Sequence, residues 1–259
     1  MNYISCKIMG GLGNYMFQIS TAYAMSLRDN KKFICDYSDS IVPQKPYNTY
    51  TNNIFRNIEF TNGFSNYTSL NEVGFNYNEL PIIGGNVKLF GYFQSEKYFK
   101  NYRNEILELF SIDENTNDHI QKKYSEILSE DTCSIHVRRG DYIKLSNFHH
   151  TQSIDYYQQS YELMGKNKKY LIFSDDINWC MENFNFISDK TFIKDNTDYQ
   201  DLYLMSLCKN NIITNSSFSW WGAWLNKNEN KVIAPSKWFG LKNLHLPTHD
   251  IYSDKWIII

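Results

Sequence analysis

Short apolar segments that end in glycine or polar clusters, each followed by a helical pattern, recur along the chain. In the N-terminal half, an apolar segment over residues 3–9 leads through a glycine-rich turn into a helical pattern over 15–28. In the C-terminal half, apolar segments over 132–137, 170–173 and 211–214 alternate with helical patterns. This alternation is typical of parallel sheets covered by helices, which bind ligands at the carboxyl ends of their strands.

The pattern predicts an α/β protein of two Rossmann-like lobes that meet near residue 130. We expect an N-terminal α/β lobe over residues 1–130 and a C-terminal Rossmann-like lobe over 131–259. Residues 37–85 are rich in Asn, Pro and Gly and predict a loop-rich excursion around short elements.

Composition excludes several classes of protein. The net charge of −2 argues against a protein whose main partner is a nucleic-acid backbone. No apolar run is long enough for a transmembrane segment, and the N-terminus lacks the pattern of a signal peptide. The five cysteines are scattered without a C-x-x-C pair, so neither a disulfide framework nor a zinc site is indicated. We therefore expect a cytoplasmic protein, with the inner membrane face as an alternative location.

The first turn reads Gly10-Gly11-Leu12-Gly13 and lies between a predicted strand and a predicted helix. Backbone amides at such a junction attract anions, although the same glycines also suit a tight turn with no ligand. The third glycine of the dinucleotide fingerprint is replaced by Met16, which argues against an NAD-linked oxidoreductase.

The sharpest motif runs from His136 to Tyr142 and places two arginines at the end of a strand. Arginine binds phosphate oxygens in a planar, bidentate way, so Arg138 and Arg139 are candidates for stabilising a departing nucleoside diphosphate. The alternative is that one arginine pairs with Asp141 while the other is solvated. Both interpretations can hold together, one for each arginine.

Two further strand ends carry polar groups. Asp175 and Asp176 suit a contact to a base or ribose, a metal ligand, or a helix cap. The segment from Asn215 to Ser219 suits a diphosphate at a helix start, whereas the tryptophans that follow suit a core. His149 and His150 are candidates for a base or for contact with an acceptor, and no third ligand with suitable spacing indicates a metal.

Three motifs, in order and spacing, resemble glycosyltransferase family 11, the α-1,2-fucosyltransferases. They read GGLGNYMFQ over 10–18, HVRRGDY over 136–142 and NSSFSWW over 215–221. FSDD over 173–176 and the Ala-Pro-x-x-Trp-Phe sequence over 234–239 fit as well, so the resemblance spans nearly the whole chain.

The resemblance implies a GT-B-like fold, α/β with a cleft between the two lobes, and GDP-fucose as donor. It implies metal-independent, inverting transfer to the 2-hydroxyl of a terminal galactose on an oligosaccharide or glycolipid, with no cofactor. Arg138 would hold the β-phosphate, and Asp141 is the candidate base. The implied donor-binding residues are Gly11, Gly13, Asn14, His136, Arg138, Arg139, Asp175, Asp176, Asn215, Ser216, Ser217, Phe218 and Ser219.

The chain departs from the family pattern at two places. Tyr15 stands where the family has Gln, and residues 143–148 contain no Asp or Glu to act as the base found there in related families. Two alternatives therefore stay open. One is a transferase of the same fold that uses another GDP-sugar, and the other is a non-catalytic module that binds a GDP-sugar or glycan.

Overall fold

The structure, a computed structural model, describes residues 1–38, 45–228 and 231–259. It divides into two compact units, one of residues 1–113 with 247–253 and one of 114–246 with 254–259. The division thus lies before the predicted boundary at 130, and a short C-terminal segment returns to the first unit. The reason is that the helix over 114–128 packs on the second unit, where the Tyr124 hydroxyl donates to Asn196 Oδ1 at 3.1 Å.

The first unit is an α/β layer built on a parallel sheet. Its strands and helices are β1 (Tyr3–Cys6), α1 (Leu12–Arg28), β2 (Lys32–Phe33), β3 (Cys35–Asp36), β4 (Phe60–Thr61), β5 (Tyr67–Asn71), β6 (Asn86–Phe90) and α2 (Arg103–Leu109). The main sheet has the order β2-β1-β6-β5, and β3 pairs with β4 beside it. The apolar segment predicted over 3–9 ends as a strand at Cys6, and residues 39–44 of the predicted loop-rich excursion lie outside the described residues.

An ion pair lies inside the first unit with no exposure to solvent. Lys88 Nζ donates to Asp36 Oδ2 at 2.6 Å, and both side chains are completely buried. Asp36 also accepts hydrogen bonds from the Ser38 hydroxyl and from the backbone N–H of Ser38 and of Gly63. Burial alone would raise the pKa of Asp36, but the Lys88 and Ser38 bonds lower it overall. The Asp36 carboxylate therefore connects the residues at the C-terminal ends of β3 and β4 to the central strand β6.

The second unit has the same layered construction. Its elements are α3 (Glu114–Leu128), β7 (Thr132–Val137), α4 (Gly140–Lys144), α5 (Ile154–Met164), β8 (Lys169–Ser174), α6 (Ile177–Asn183), β9 (Lys190–Phe192), α7 (Asp198–Leu207), β10 (Asn210–Ile212), α8 (Ser217–Trp224), β11 (Val232–Ala234) and β12 (Ile257–Ile258). The sheet order is β12-β11-β10-β7-β8-β9, with every pair parallel. β7 and its neighbours β8 and β10 therefore end at the same edge, which is the edge where the polar motifs follow.

Aromatic side chains of α8 form a buried cluster in the second unit. Trp220, Trp221 and Trp224 are buried, and their rings contact one another and Trp256 with centroids 5.1–6.1 Å apart. The prediction that these rings belong to the core is confirmed. A large buried apolar area therefore stabilises the position of α8 in the second unit.

All five cysteines are buried and carry free thiols. Among the described residues, every helix is too short or too polar to cross a lipid bilayer.

Replacing Lys88 by Met leaves Asp36 buried without its cation, so we expect the free energy of unfolding to fall by about 3–5 kcal/mol. Lys166→Met is the matched control, because Lys166 and Glu162 form a solvent-exposed pair, and exposed pairs contribute little to stability. Chemical denaturation measures both changes. Equal effects in the two variants would contradict a stabilising role for the buried pair.

Candidate functional site

Two pairs of opposite charges join the ends of β7 and β8. Arg138 Nη1 lies 3.2 Å from Asp175 Oδ2, and Arg139 Nε lies 3.1 Å from Asp176 Oδ2. The Arg139 backbone N–H donates to Asp175 Oδ1 at 2.9 Å. These neighbouring strands end in register, with Val137 opposite Ser174, so the two motifs meet because of strand pairing.

Asp141 completes the cluster from the first turn of α4. Its Oδ1 lies 2.7 Å from Arg138 Nη2, so Arg138 is the arginine that pairs with Asp141. The Arg138 guanidinium thus contacts Asp141 and Asp175 through two nitrogens and keeps further N–H groups for a ligand. About a quarter of the Arg138 side chain is exposed, which leaves it accessible to a ligand from solvent.

Arg139 is held on both sides by the protein. Its guanidinium carbon lies 3.9 Å from the centroid of the Trp179 ring, in addition to the Asp176 pair. Asp176 itself caps α6, since its Oδ1 accepts from the Trp179 backbone N–H at 3.3 Å. The cap interpretation of the Asp175–Asp176 pair is therefore confirmed for Asp176, and Arg139 is firmly anchored to the scaffold.

Gly140 lets the two strand ends approach. A Cβ atom at this position would lie 2.6 Å from Asp175 Oδ2, well inside van der Waals contact. Any larger residue would displace Asp175 from its place beside Arg138.

His136 lies on β7 just below the arginines and is almost completely buried. Burial, with the Arg138 charge as a second cause, lowers the pKa of His136 to about 3. The ring is therefore neutral near pH 7. Among the described residues no group is hydrogen-bonded to its Nδ1. The ring lies 5.5 Å from that of Phe218, between centroids, so a buried polar atom sits beside the start of α8.

Asn215 organises the turn between β10 and α8. Its Oδ1 accepts from Gln152 Nε2 and from the Thr214 hydroxyl, both at 3.0 Å. Its Nδ2 donates to the carbonyl oxygens of His150 and Trp238. The predicted donor-binding amide is thus fully used in holding three chain segments together, and we assign it to positioning.

The start of α8 presents backbone donors at the same sheet edge. Ser216 is the N-cap in extended conformation, and its side chain makes no capping bond. Within the described residues, no hydrogen bond is formed by the backbone N–H of Ser217 or of Phe218. Ser219 differs, because its hydroxyl is buried and bonded to the backbone of Thr214 and Ser216. Ser216, Ser217 and Phe218 are therefore the candidates for ligand contact here.

The two histidines lie at the rim of this cluster. The ring of His149 stacks on Tyr142 with centroids 4.5 Å apart, and the Tyr142 hydroxyl donates to the Asn215 carbonyl at 3.0 Å. Burial lowers the pKa of both His149 and His150. Both imidazoles are therefore biased toward the neutral form.

In the first unit, the glycine-rich turn follows β1 and opens α1. Gly10 has a φ of +88°, which favours glycine, and Gly11 is the N-cap of the helix. The Gln18 side chain fixes the start of the turn, because its Oε1 accepts from the Met9 N–H and its Nε2 donates to the Met9 carbonyl. Gly13 is buried and Asn14 is half-buried beside Gly10.

Tyr15 does not line this turn. Its ring is fully buried near Phe55, and its hydroxyl donates to the Lys45 carbonyl at 3.3 Å. Burial raises the pKa of Tyr15 to about 12. The departure from the family pattern is thus a core substitution in this chain.

Gln94 and Glu72 lie at or near this turn, and the sequence pattern does not indicate either of them. Gln94 Nε2 donates to Asn14 Oδ1 at 2.7 Å, and Gln94 is placed by the turn after β6. That turn contains Phe93 at a φ of +52°, held there by Glu72, which accepts from the N–H groups of Tyr92 and Phe93. No local signal marks Gln94 or Glu72, because their role depends on β1, β6 and β5 being neighbours in the sheet.

Among the described residues, no three His, Cys, Asp or Glu side chains are arranged to hold a metal ion.

The model of glycosyl transferase family 11 matches residues 2–259 of the chain. The chain belongs to this family. Its similarity to individual members is consistent with that: an alpha-1,2-colitosyltransferase of Escherichia coli is 31% identical over the whole of this chain and 99% of that protein.

Other family 11 relatives align over smaller parts. The O-antigen biosynthesis glycosyltransferase WbnK of Escherichia coli is 40% identical over 65% of this chain and 59% of its own length. The galactoside alpha-(1,2)-fucosyltransferase 2 of Hylobates lar is 24% identical over 87% of this chain and 70% of its own.

Solved structures of fucosyltransferases share the fold. NodZ alpha-1,6-fucosyltransferase, soaked with GDP-fucose, aligns with a TM-score of 0.58 at 13% identity over 86% of this chain and 92% of its own. POFUT1 in complex with GDP-fucose aligns with a TM-score of 0.52 at 12% identity over 88% and 94%. The predicted GT-B fold of this family 11 chain is confirmed.

The buried His136 predicts a pH dependence of stability. Because its folded pKa of about 3 lies below its ordinary value of 6.5, protonation favours the unfolded chain, and stability falls as pH drops below about 6.5. His136→Gln removes this contribution, which amounts to at most about 1.4 kcal/mol per pH unit. We expect the variant to show a shallower loss between about pH 6.5 and pH 4 in denaturation experiments. Parallel profiles would contradict the assignment.

Proposed function

We propose that this family 11 transferase moves L-fucose from GDP-fucose to the 2-hydroxyl of a terminal galactose on a glycan. The observation that carries the proposal is the Arg138 guanidinium, fixed by Asp141 and Asp175 at the carboxyl edge of the second sheet. The fucosyltransferase relatives and the fold shared with structures that contain GDP-fucose support the choice of donor.

We assign binding of the GDP-sugar to the second unit, and stabilisation of the departing GDP to Arg138. Charge builds up on the diphosphate as the bond to the fucose carbon breaks, and a preformed cation stabilises that charge without reorganising. The backbone N–H groups of Ser217 and Phe218 at the start of α8 add donors for a phosphate oxygen. His136 and Asp175 are assigned to the guanosine, His136 as a neutral ring with an unused nitrogen.

The acceptor hydroxyl attacks from the face opposite GDP and inverts the fucose carbon. Asp141 is assigned as the base, because its carboxylate is partly exposed beside Arg138. His149 and His150 are assigned to acceptor contact. No metal or cofactor takes part in this scheme.

We assign the glycine-rich turn of the first unit to the acceptor side. Asn14 donates through its Nδ2 to a sugar hydroxyl, with Gly11 and Gly13 allowing close approach. Gln94 fixes which way the Asn14 amide points, because its Nε2 occupies Asn14 Oδ1. Gln94 is therefore a positioning residue in this scheme.

A second candidate function is transfer of colitose from its GDP derivative. The favouring observation is the 31% identity to the Escherichia coli alpha-1,2-colitosyltransferase over the full length of this chain. A donor panel of GDP-fucose, GDP-colitose and GDP-mannose, offered with a β-galactoside acceptor, separates the candidates by product mass. GDP binding without product from any donor would favour the non-catalytic module.

Arg138→Ala should lower kcat by about 10²–10³-fold, the loss expected for a principal electrostatic donor. Arg28→Ala is the matched control, since Arg28 pairs with Asp29 on the first unit away from every candidate site residue. Initial rates of GDP release measure both. Near-normal turnover by Arg138→Ala would remove the basis of the proposed mechanism.

Gln94→Ala frees the Asn14 amide to rotate, so we expect the KM for the galactoside acceptor to rise by about tenfold, the value of roughly one hydrogen bond. Affinity for GDP itself should stay unchanged, because the nucleotide is assigned to the second unit. Gln159→Ala, an exposed glutamine on α5, is the control. A matching loss of GDP affinity would show that Gln94 acts on the fold or the nucleotide instead.

A further inference from the structure

Two segments of the second unit expose large apolar side chains next to lysines. The exposed residues of this apolar–basic surface are Ile143, Lys144, Leu145, Phe148, Leu241, Lys242 and Leu244. Leu241 is 76% exposed and Leu244 is 62% exposed. Large apolar side chains grouped at a surface mark a site of interaction, whereas isolated ones need no explanation.

Backbone hydrogen bonds hold the two segments side by side. The Gly240 N–H donates to the Phe148 carbonyl at 2.9 Å, and the Lys242 N–H donates to the Asn147 carbonyl at 2.8 Å. The backbones approach so closely that a Cβ on Gly240 would lie 2.4 Å from the Ser146 carbonyl oxygen. The apolar groups of both segments therefore form one preorganised surface, which loses little conformational entropy when it binds.

The charged side chains of the two segments are all basic. Residues 143–148 and 237–246 contain three lysines and one histidine, with no Asp or Glu. Lys242 Nζ lies 4.9 Å from the centroid of the Phe148 ring, so the ammonium makes a cation–π contact with one of the exposed apolar groups. Apolar tips among exposed lysines match the interface of an anionic bilayer, where rings and aliphatic groups enter the acyl boundary and lysines meet phosphates.

We propose that the apolar–basic surface docks this protein on an anionic lipid membrane. The occupant is the bilayer surface, because exposed apolar side chains and lysines alternate along both segments. The surface begins two residues after Asp141, so docking brings the candidate site close to the lipid headgroups. A glycolipid acceptor would meet the site there.

Co-sedimentation of the full chain with lipid vesicles tests the proposal. We expect binding to vesicles with about 30% phosphatidylglycerol in phosphatidylcholine, and binding at least about tenfold weaker to phosphatidylcholine alone. Binding should weaken with added salt, since exposed charges are screened. The assay contains no sugar nucleotide, so its failure would leave the proposed transferase activity untouched.

Two double variants separate the apolar and the charged contributions. Leu241→Ser with Leu244→Ser should weaken vesicle binding by about tenfold or more. Lys144→Gln with Lys242→Gln should weaken it by about 25-fold, at about fivefold for each lysine. All four side chains are exposed, so the thermal midpoint should not change.

Matched controls use equally exposed residues elsewhere. Val73→Ser with Ile82→Ser removes two apolar side chains that are 74% and 80% exposed, and Lys122→Gln with Lys209→Gln removes two exposed lysines of the second unit. We expect neither control to weaken binding by more than about twofold, apart from the general charge effect. Equal losses in controls and test variants would overturn the proposal.

Two other results would also overturn it. One is absence of binding to anionic vesicles. The other is a wild-type dimer in light scattering that the Leu241–Leu244 variant converts to a monomer, since a second copy of the chain would then be the occupant of the surface.

Discussion

The charge cluster at the ends of β7 and β8 governs the rest of the second unit's chemistry. Arg138 contacts Asp141 and Asp175, so one cation is fixed by carboxylates from two different strand ends. Two guanidinium groups against three carboxylates leave the cluster with a net charge of −1, and all five side chains are partly exposed. An incoming diphosphate therefore competes with Asp141 and Asp175 for the Arg138 guanidinium.

The surrounding scaffold explains why that arginine stays in place. Arg139 is fixed by Asp176 and Trp179, and Asn215 ties the start of α8 to two other segments. The buried tryptophan cluster then stabilises the position of α8. In the first unit, hydrogen bonds from the side-chain amides of Gln18 and Gln94 fix the residues around the glycine-rich turn in the same way. In both units, side chains that touch only protein determine where the exposed groups point.

Much of this was predictable where a local pattern decides the structure. The strand over 132–137 has the predicted bounds, because a buried apolar run is a local signal. The two units divide after residue 113 and not near 130, because the polar helix over 114–128 carries no local signal of which sheet it packs on. The partners of Asn215 and Gln94 lie up to 80 residues away in sequence, so only sheet topology reveals them.

The central claim is that a guanosine diphosphate moiety binds at the carboxyl edge of the second sheet through Arg138. The most direct test is the shift in melting temperature with GDP, GDP-fucose, UDP and NAD, for the wild type and for Arg138→Ala. A ligand at about 100 times its Kd adds about 2.7 kcal/mol to stability. The account predicts stabilisation by GDP and GDP-fucose that collapses in the variant. Stabilisation by UDP or NAD alone, or an equal GDP shift in both proteins, would contradict it.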